Sequence, residues 1–170
     1  MLSPRNAVIA CMILAAAASR LVPHPDNFTP IAAMALFSGA QLRDRRVAFL
    51  VPLVPMFLTD LIIGLHALIP VVYGSLALIV CIGFWLQRRQ STVRIAVASL
   101  AGSVLFYLIT NFACGLPRSL EGVMQSYVDG IPFFWNTLLS DAFCNTVLFG
   151  GFALAAQAFP TLREPAPAVA

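Results

Sequence analysis

Two carboxylates stand inside strongly apolar sequence: Asp60 in VPMFLTDLIIG and Asp141 in NTLLSDAFCN. A carboxylate facing lipid is costly, so both must face a bundle interior or a wet cavity. Four cysteines, Cys11, Cys81, Cys114 and Cys144, also lie in apolar runs. A thiolate is a soft, strong metal donor. No CxxC pair points to zinc or to a disulfide framework, and a lone thiol is more often a small packing residue. Ser99, Ser103, Tyr107, Thr110, Asn111 and Cys114 make one polar stripe at helical spacing. Asn136, Ser140, Asp141, Cys144 and Asn145 follow further on, and the segment PHPDNFTP adds His24, Asp26, Asn27 and Phe28. The chemistry this set can do is to line a ligand pocket between helices. The competing explanation is hydrogen bonding between helices, which accounts for many Ser, Thr and Asn residues in spans. Acid–base catalysis by Asp60 or Asp141 is a further alternative. The chain has no HExxH, paired-Asp, Ser/Lys or nucleotide-loop signature to support it.

The elements that must position these residues are apolar. The chain is 60% hydrophobic and 10% charged, with mean hydropathy +0.89, where a soluble domain carries about a quarter charged residues. Six apolar runs are visible, over Asn6–Val22, Pro30–Leu42, Val47–Leu65, Ile69–Leu86, Ile95–Leu116 and Ile131–Phe159. The second is short for a span, which needs roughly 20 residues, and its start is expected within the preceding loop. Between the fifth and sixth runs, Pro117–Gly130 reads as a short surface helix. The expected fold is an all-α membrane protein, one six-helix transmembrane domain over residues 1–160. A Pro/Ala-rich tail over 161–170 reads as disordered.

All ten basic residues are Arg. With the N-terminus inside and six spans, Arg5, Arg43, Arg45, Arg46, Arg88, Arg89, Arg94 and Arg163 fall on the inner side. Only Arg20 and Arg118 fall outside. That asymmetry predicts two cytoplasmic termini. The arginines flank spans and form no basic face, so the net charge of +3 is not a nucleic-acid signal. The first run admits two readings. Arg5 followed by an apolar stretch and AAAAS fits a cleavable signal peptide. Small residues at Ala7, Cys11, Ala15 and Ser19 fit a retained helix with a close-approach stripe.

The ordered set Pro23-His24-Pro25, Asn27-Phe28-Thr29-Pro30, Ala33-x-Ala35-Leu36-Phe37-x-Gly39-Ala40, Thr59-Asp60-Leu61, Tyr73-Gly74, Thr110-Asn111-Phe112 and Ile131-Pro132-Phe133-Phe134 spans nearly the whole chain. It resembles small bacterial membrane proteins related to the substrate-binding S-components of energy-coupling-factor (ECF) vitamin transporters. Within that group it is similar to the solitary cobalamin S-components. The resemblance implies an S-component-like six-helix bundle in the bacterial inner membrane, with a vitamin-sized pocket near the outer face. It implies cobalamin as ligand, with no intrinsic cofactor, and a membrane-embedded cysteine holding cobalt. It also allows assistance in removing the upper cyanide ligand. Cys81 is the matching cysteine, on the expected face of Tyr73, and Cys114 is its rival. Asp60, Tyr73, Asn111 and Asn136 would line the pocket, with His24, Asn27 and Phe28 in its outer loop. The stripe Ala7, Cys11, Ala15, Ser19 would dock a transmembrane coupling subunit. The alternatives are a different small vitamin or precursor without a metal bond, an intramembrane enzyme, and a structural subunit with no ligand.

Overall fold

The computed structural model describes residues 3–116 and 119–163. It is an all-α protein of six helices: α1 (Pro4–Ala18), α2 (Ile31–Gln41), α3 (Arg45–Ile63), α4 (Ile69–Leu86), α5 (Thr92–Gly115) and α6 (Leu120–Ala158). Helices α3 to α6 are each long and apolar enough to cross a membrane, so the chain reads as a multi-pass membrane protein. Helices α1 and α2, at 15 and 11 residues, are shorter than a span, although a 3-10 turn at Ser19–Leu21 prolongs α1.

Local sequence explains the boundaries. Ser3, Asp44, Ser91 and Ser119 cap α1, α3, α5 and α6, each accepting from a backbone N–H of the first turn. Helix α3 ends at Gly64, whose φ of +124° suits only glycine, and whose N–H donates to the Asp60 carbonyl at 2.8 Å.

Two expected boundaries change. The segment expected as a separate surface helix is, from Leu120 on, the first part of α6; Pro117 and Arg118 lie outside the described residues. Pro132 suggests a break because it lacks an N–H. The helix nevertheless runs through it and through a π-helical turn at Thr146–Gly150, 39 residues in all. The disordered tail was expected from residue 161. Instead Pro160–Leu162 form a 3-10 turn with Leu162 buried, and Arg163 donates to the carbonyls of Ala156 and Gln157. Residues 164–170 lie outside the described residues.

The core is built around α2. Every residue from Ala32 to Gln41 is buried. Its small side chains let α4 approach so closely that a Cβ on Gly83 would stand 2.5 Å from the Leu36 carbonyl oxygen and 2.8 Å from Gly39 Cα. Phe37 packs edge-on against Phe149 and Phe152 of α6. The last carbonyls of a helix need partners. Here Gln87 donates to Gly39 and Leu42, Gln90 to Ala40, and Arg5 to both the Gln41 carbonyl and its side chain. The start of α1, the α2–α3 and α4–α5 turns and the end of α6 therefore meet at one end of the bundle, which carries all eight inner-side arginines. There Arg94 stacks over Trp85 at 4.2 Å and donates to the Arg89 carbonyl.

Candidate functional site

At the opposite end of the bundle lies a cavity of about 320 Å³. Helices α2 to α6 and the segments between α1 and α2 and between α3 and α4 line it, with Ile31 from α2 and Val72 from α4. The turn after α1 brings Arg20, and the 22–30 segment brings Asn27 and Thr29. Helix α3 brings Met56, the α3–α4 turn His66, and α5 Phe106, Tyr107, Thr110, Asn111 and Cys114. Helix α6 adds Gly130, Phe133, Phe134 and Thr137. The 22–30 segment is fixed to α6, where Asn136 donates to the Asp26 carbonyl at 2.9 Å and Ser140 to that of Thr29 at 2.8 Å. Asn27 turns into the cavity by adopting φ +58°, a left-handed conformation that Asn tolerates better than most residues.

The wall of the cavity contains an ion pair. Arg20 Nη1 lies 2.9 Å from Asp60 Oδ1, and Tyr73 donates its hydroxyl to Asp60 Oδ2 at 2.7 Å. Arg20 Nη1 also donates to Thr59 Oγ1 at 2.5 Å. Asp60 is 2% exposed and does not line the cavity, whereas Arg20 does. Charge is thus buried in pairs, with its cationic member toward the open space.

The polar stripe on α5 divides into two layers. Toward the cavity, Tyr107 donates to the Tyr127 carbonyl, and Asn111 to that of Tyr107, while Ser126 reaches Asn111 Oδ1. Deeper, Ser103 donates to Asp141 Oδ2 at 2.6 Å and Asn145 to Ser99 Oγ at 2.9 Å. The gap beside Asp141 has no water-sized space, and Asp141 Oδ1 and Asn145 Oδ1 are buried without a partner among the described residues. A larger cavity of about 630 Å³ lies toward the arginine-rich end between α5 and α6, with Ser99 and Asn145 at its border. Among the described residues its lining has no charged side chain.

The expected site residues are distributed unevenly. Asn27 and Asn111 line the cavity. Asp60 and Tyr73 are joined behind its wall. Asn136 serves as an anchor for the 22–30 segment and does not line the cavity. His24 is exposed, bonded only to the neighbouring Pro25 carbonyl, and Phe28 is half-buried outside the lining. Cys81 is exposed on the outer surface with Gly74, Leu78 and Trp85. Its expected alignment with Tyr73 fails because eight residues at 3.6 per turn overshoot two turns by about 80°. The cavity thiol is Cys114. Arg20, expected on the outer side, is paired with Asp60 in the cavity wall. The signal that could have placed it was Asp60 itself, a carboxylate in a span that needs a partner. Ala7 is half-buried, and Cys11, Ala15 and Ser19 point away from the core.

Among the described residues no group of three or more His, Cys, Asp or Glu side chains is arranged to hold a metal. No curated protein and no solved structure matches the chain. The chain belongs to DUF6580, a family of unknown function, whose pattern it matches over residues 1–162.

Proposed function

We propose that this protein binds a vitamin-sized organic molecule in the membrane, as an S-component-like substrate-binding protein of the bacterial inner membrane. The ligand enters the 320 Å³ cavity from the outer side, and both termini are cytoplasmic. One observation carries the reading: the cavity brings apolar aromatic walls, several uncharged polar groups and one guanidinium together at the end of the bundle opposite the arginine cluster. Ligand sites are typically concave and mostly apolar, with a few placed polar groups, at about 300–1,000 Å³. The positive-inside bias orients the cavity outward. The intramembrane-enzyme alternative is weaker, because Asp60 is engaged by Arg20 and Tyr73 and Asp141 is buried beside a gap with no water-sized space.

The volume favours a small vitamin or precursor without a metal bond over an enclosed corrinoid. Cobalamin stays as the second reading because a thiol, Cys114, stands at the cavity. In that reading Cys114, and not Cys81, is the cobalt ligand. An outward stripe containing Cys11, Ala15 and Ser19 is compatible with docking a coupling subunit.

The test is thiol protection. Purified protein in lipid nanodiscs is labelled with a polar maleimide in the presence of individual vitamins and precursors. The expected result is that one of them slows labelling of Cys114 and leaves Cys81 unchanged. With cobalamin, the visible spectrum of the bound form should change in a Cys114→Ser variant if sulfur ligates cobalt. Unaltered Cys114 labelling across the whole series would overturn the binding reading.

A further inference from the structure

We propose that the ligand carries a carboxylate, received by the unused Nε–Nη2 edge of Arg20. This inference rests on the small-molecule reading above and narrows it to a chemical class.

The guanidinium is half engaged. Its partners among the described residues all meet one nitrogen: Nη1 donates to Asp60 Oδ1 at 2.9 Å, to Thr59 Oγ1 at 2.5 Å and to Met56 Sδ at 3.0 Å. Nε is buried with no hydrogen-bond partner, and Nη2 bonds to none of the described residues. A buried donor is nearly always satisfied in a native protein, and an orphan calls for an explanation. Nε and Nη2 present two parallel N–H groups on one edge of a rigid plane. That edge matches the two coplanar oxygens of a carboxylate.

The surroundings select charge as well as shape. Among the described residues Arg20 is the one Arg, Asp or Glu side chain in the cavity lining. Its counter-ion, Asp60, has both oxygens committed, Oδ1 to Arg20 and Oδ2 to the Tyr73 hydroxyl. Asp60 and Tyr73 are therefore positioning residues. They hold Nη1 and leave the Nε–Nη2 edge uncommitted. A lining whose described residues offer one arginine and, as a second basic group, His66 suits a monoanion better than a phosphate dianion. The body of the molecule would lie against Phe106, Phe133 and Phe134, in line with a carboxylate on an apolar or aromatic frame.

The experiment compares charge at constant shape. The full chain in nanodiscs is titrated calorimetrically with aryl and alkyl carboxylates small enough for the cavity. Each is measured beside its primary amide and its phosphonate, with Cys114 protection reporting the location. At least one carboxylate should bind tenfold or more tighter than its amide, about the worth of a charge-assisted hydrogen bond. Arg20→Lys keeps the charge opposite Asp60 but has no planar fork. It should lose about tenfold to a hundredfold in carboxylate affinity and leave amide affinity unchanged. If the lysine variant does not fold, the pair Arg20→Gln with Asp60→Asn removes both charges together and should abolish the preference for carboxylate. Amides that bind and protect Cys114 as well as carboxylates do would overturn the proposal while leaving the small-molecule reading intact. Preference for the phosphonate would overturn the carboxylate assignment. Protection by none of the probes would overturn the proposal and count against the pocket itself.

Discussion

Replacing Arg20 by alanine should destabilise the bundle more than replacing Asp60 by asparagine, although each change breaks the same ion pair. The two partners are left in different surroundings. Without Arg20, the Asp60 carboxyl is left without its counter-ion at 3% side-chain exposure, with the Tyr73 hydroxyl as its remaining side-chain donor. Leaving one member of a buried pair uncompensated costs about 3–5 kcal/mol. In Asp60→Asn the amide oxygen can still accept from Tyr73 or Arg20, and Arg20 reaches the cavity at 13% exposure. The loss is then that of one charge-assisted hydrogen bond, about 1.5–3 kcal/mol. The double variant contains no unpaired charge, so it should cost less than the sum of the singles, with a coupling of about 2 kcal/mol. The assay is equilibrium unfolding of all four proteins in the same mixed micelles, followed by far-ultraviolet circular dichroism. Additivity within about 0.5 kcal/mol would show that the pair is not energetically coupled. A larger cost for Asp60→Asn than for Arg20→Ala would refute the argument from unequal burial.

Gly83→Ala should destabilise the α2–α4 crossing by at least about 1–3 kcal/mol, because its Cβ would meet only backbone atoms of α2, at 2.5 to 2.9 Å. Gly74→Ala on the same helix meets nothing within 4 Å and should be neutral or slightly stabilising, so equal melting shifts for the two variants would contradict the packing. Reporter fusions at the two ends should place both on one side of the membrane, on the strength of the arginine distribution; ends on opposite sides would rule out an even number of crossings.

The fold was largely legible because hydrophobic runs and arginines report on a membrane protein directly. The fourth run matches α4 residue for residue, and α3 and α5 lie within three residues of their expected bounds. The burial of Asp60 followed from the cost of charge in lipid, whereas its hydrogen bond to Tyr73 had no signal in the spacing. What was not legible depended on rotation and on distant pairing. Over two turns, the small excess of the helical repeat moved Cys81 from an expected inner face to the outer surface. Arg20 and Asp60 are 40 residues apart in sequence, and no periodicity links them. The polar stripe on α5 gave the facing residues but not their division. Ser99 and Ser103 are bonded to Asn145 and Asp141 of α6 away from the cavity, while Tyr107 and Asn111, also bonded to α6 through Tyr127 and Ser126, line it.

The shortness of α2 explains why a cavity exists there at all. Eleven residues extend about 16 Å, roughly half of a hydrocarbon core about 30 Å thick. Its carbonyl end is fixed at the arginine-rich end by Gln87, Gln90 and Arg5, so its other end stops within the bundle. The chain must cover the remaining depth with the irregular 22–30 segment. Non-helical backbone at membrane depth is tolerated only where protein surrounds it or a wet cavity meets it. Asn136 and Ser140 satisfy two of its carbonyls from α6, and Asn27 and Thr29 face the cavity. A full-length second helix would fill that space with side chains and leave Arg20 nothing to face. The PHPDNFTP segment is therefore the structural price of a half-length helix and, in the same place, part of the wall of the candidate site.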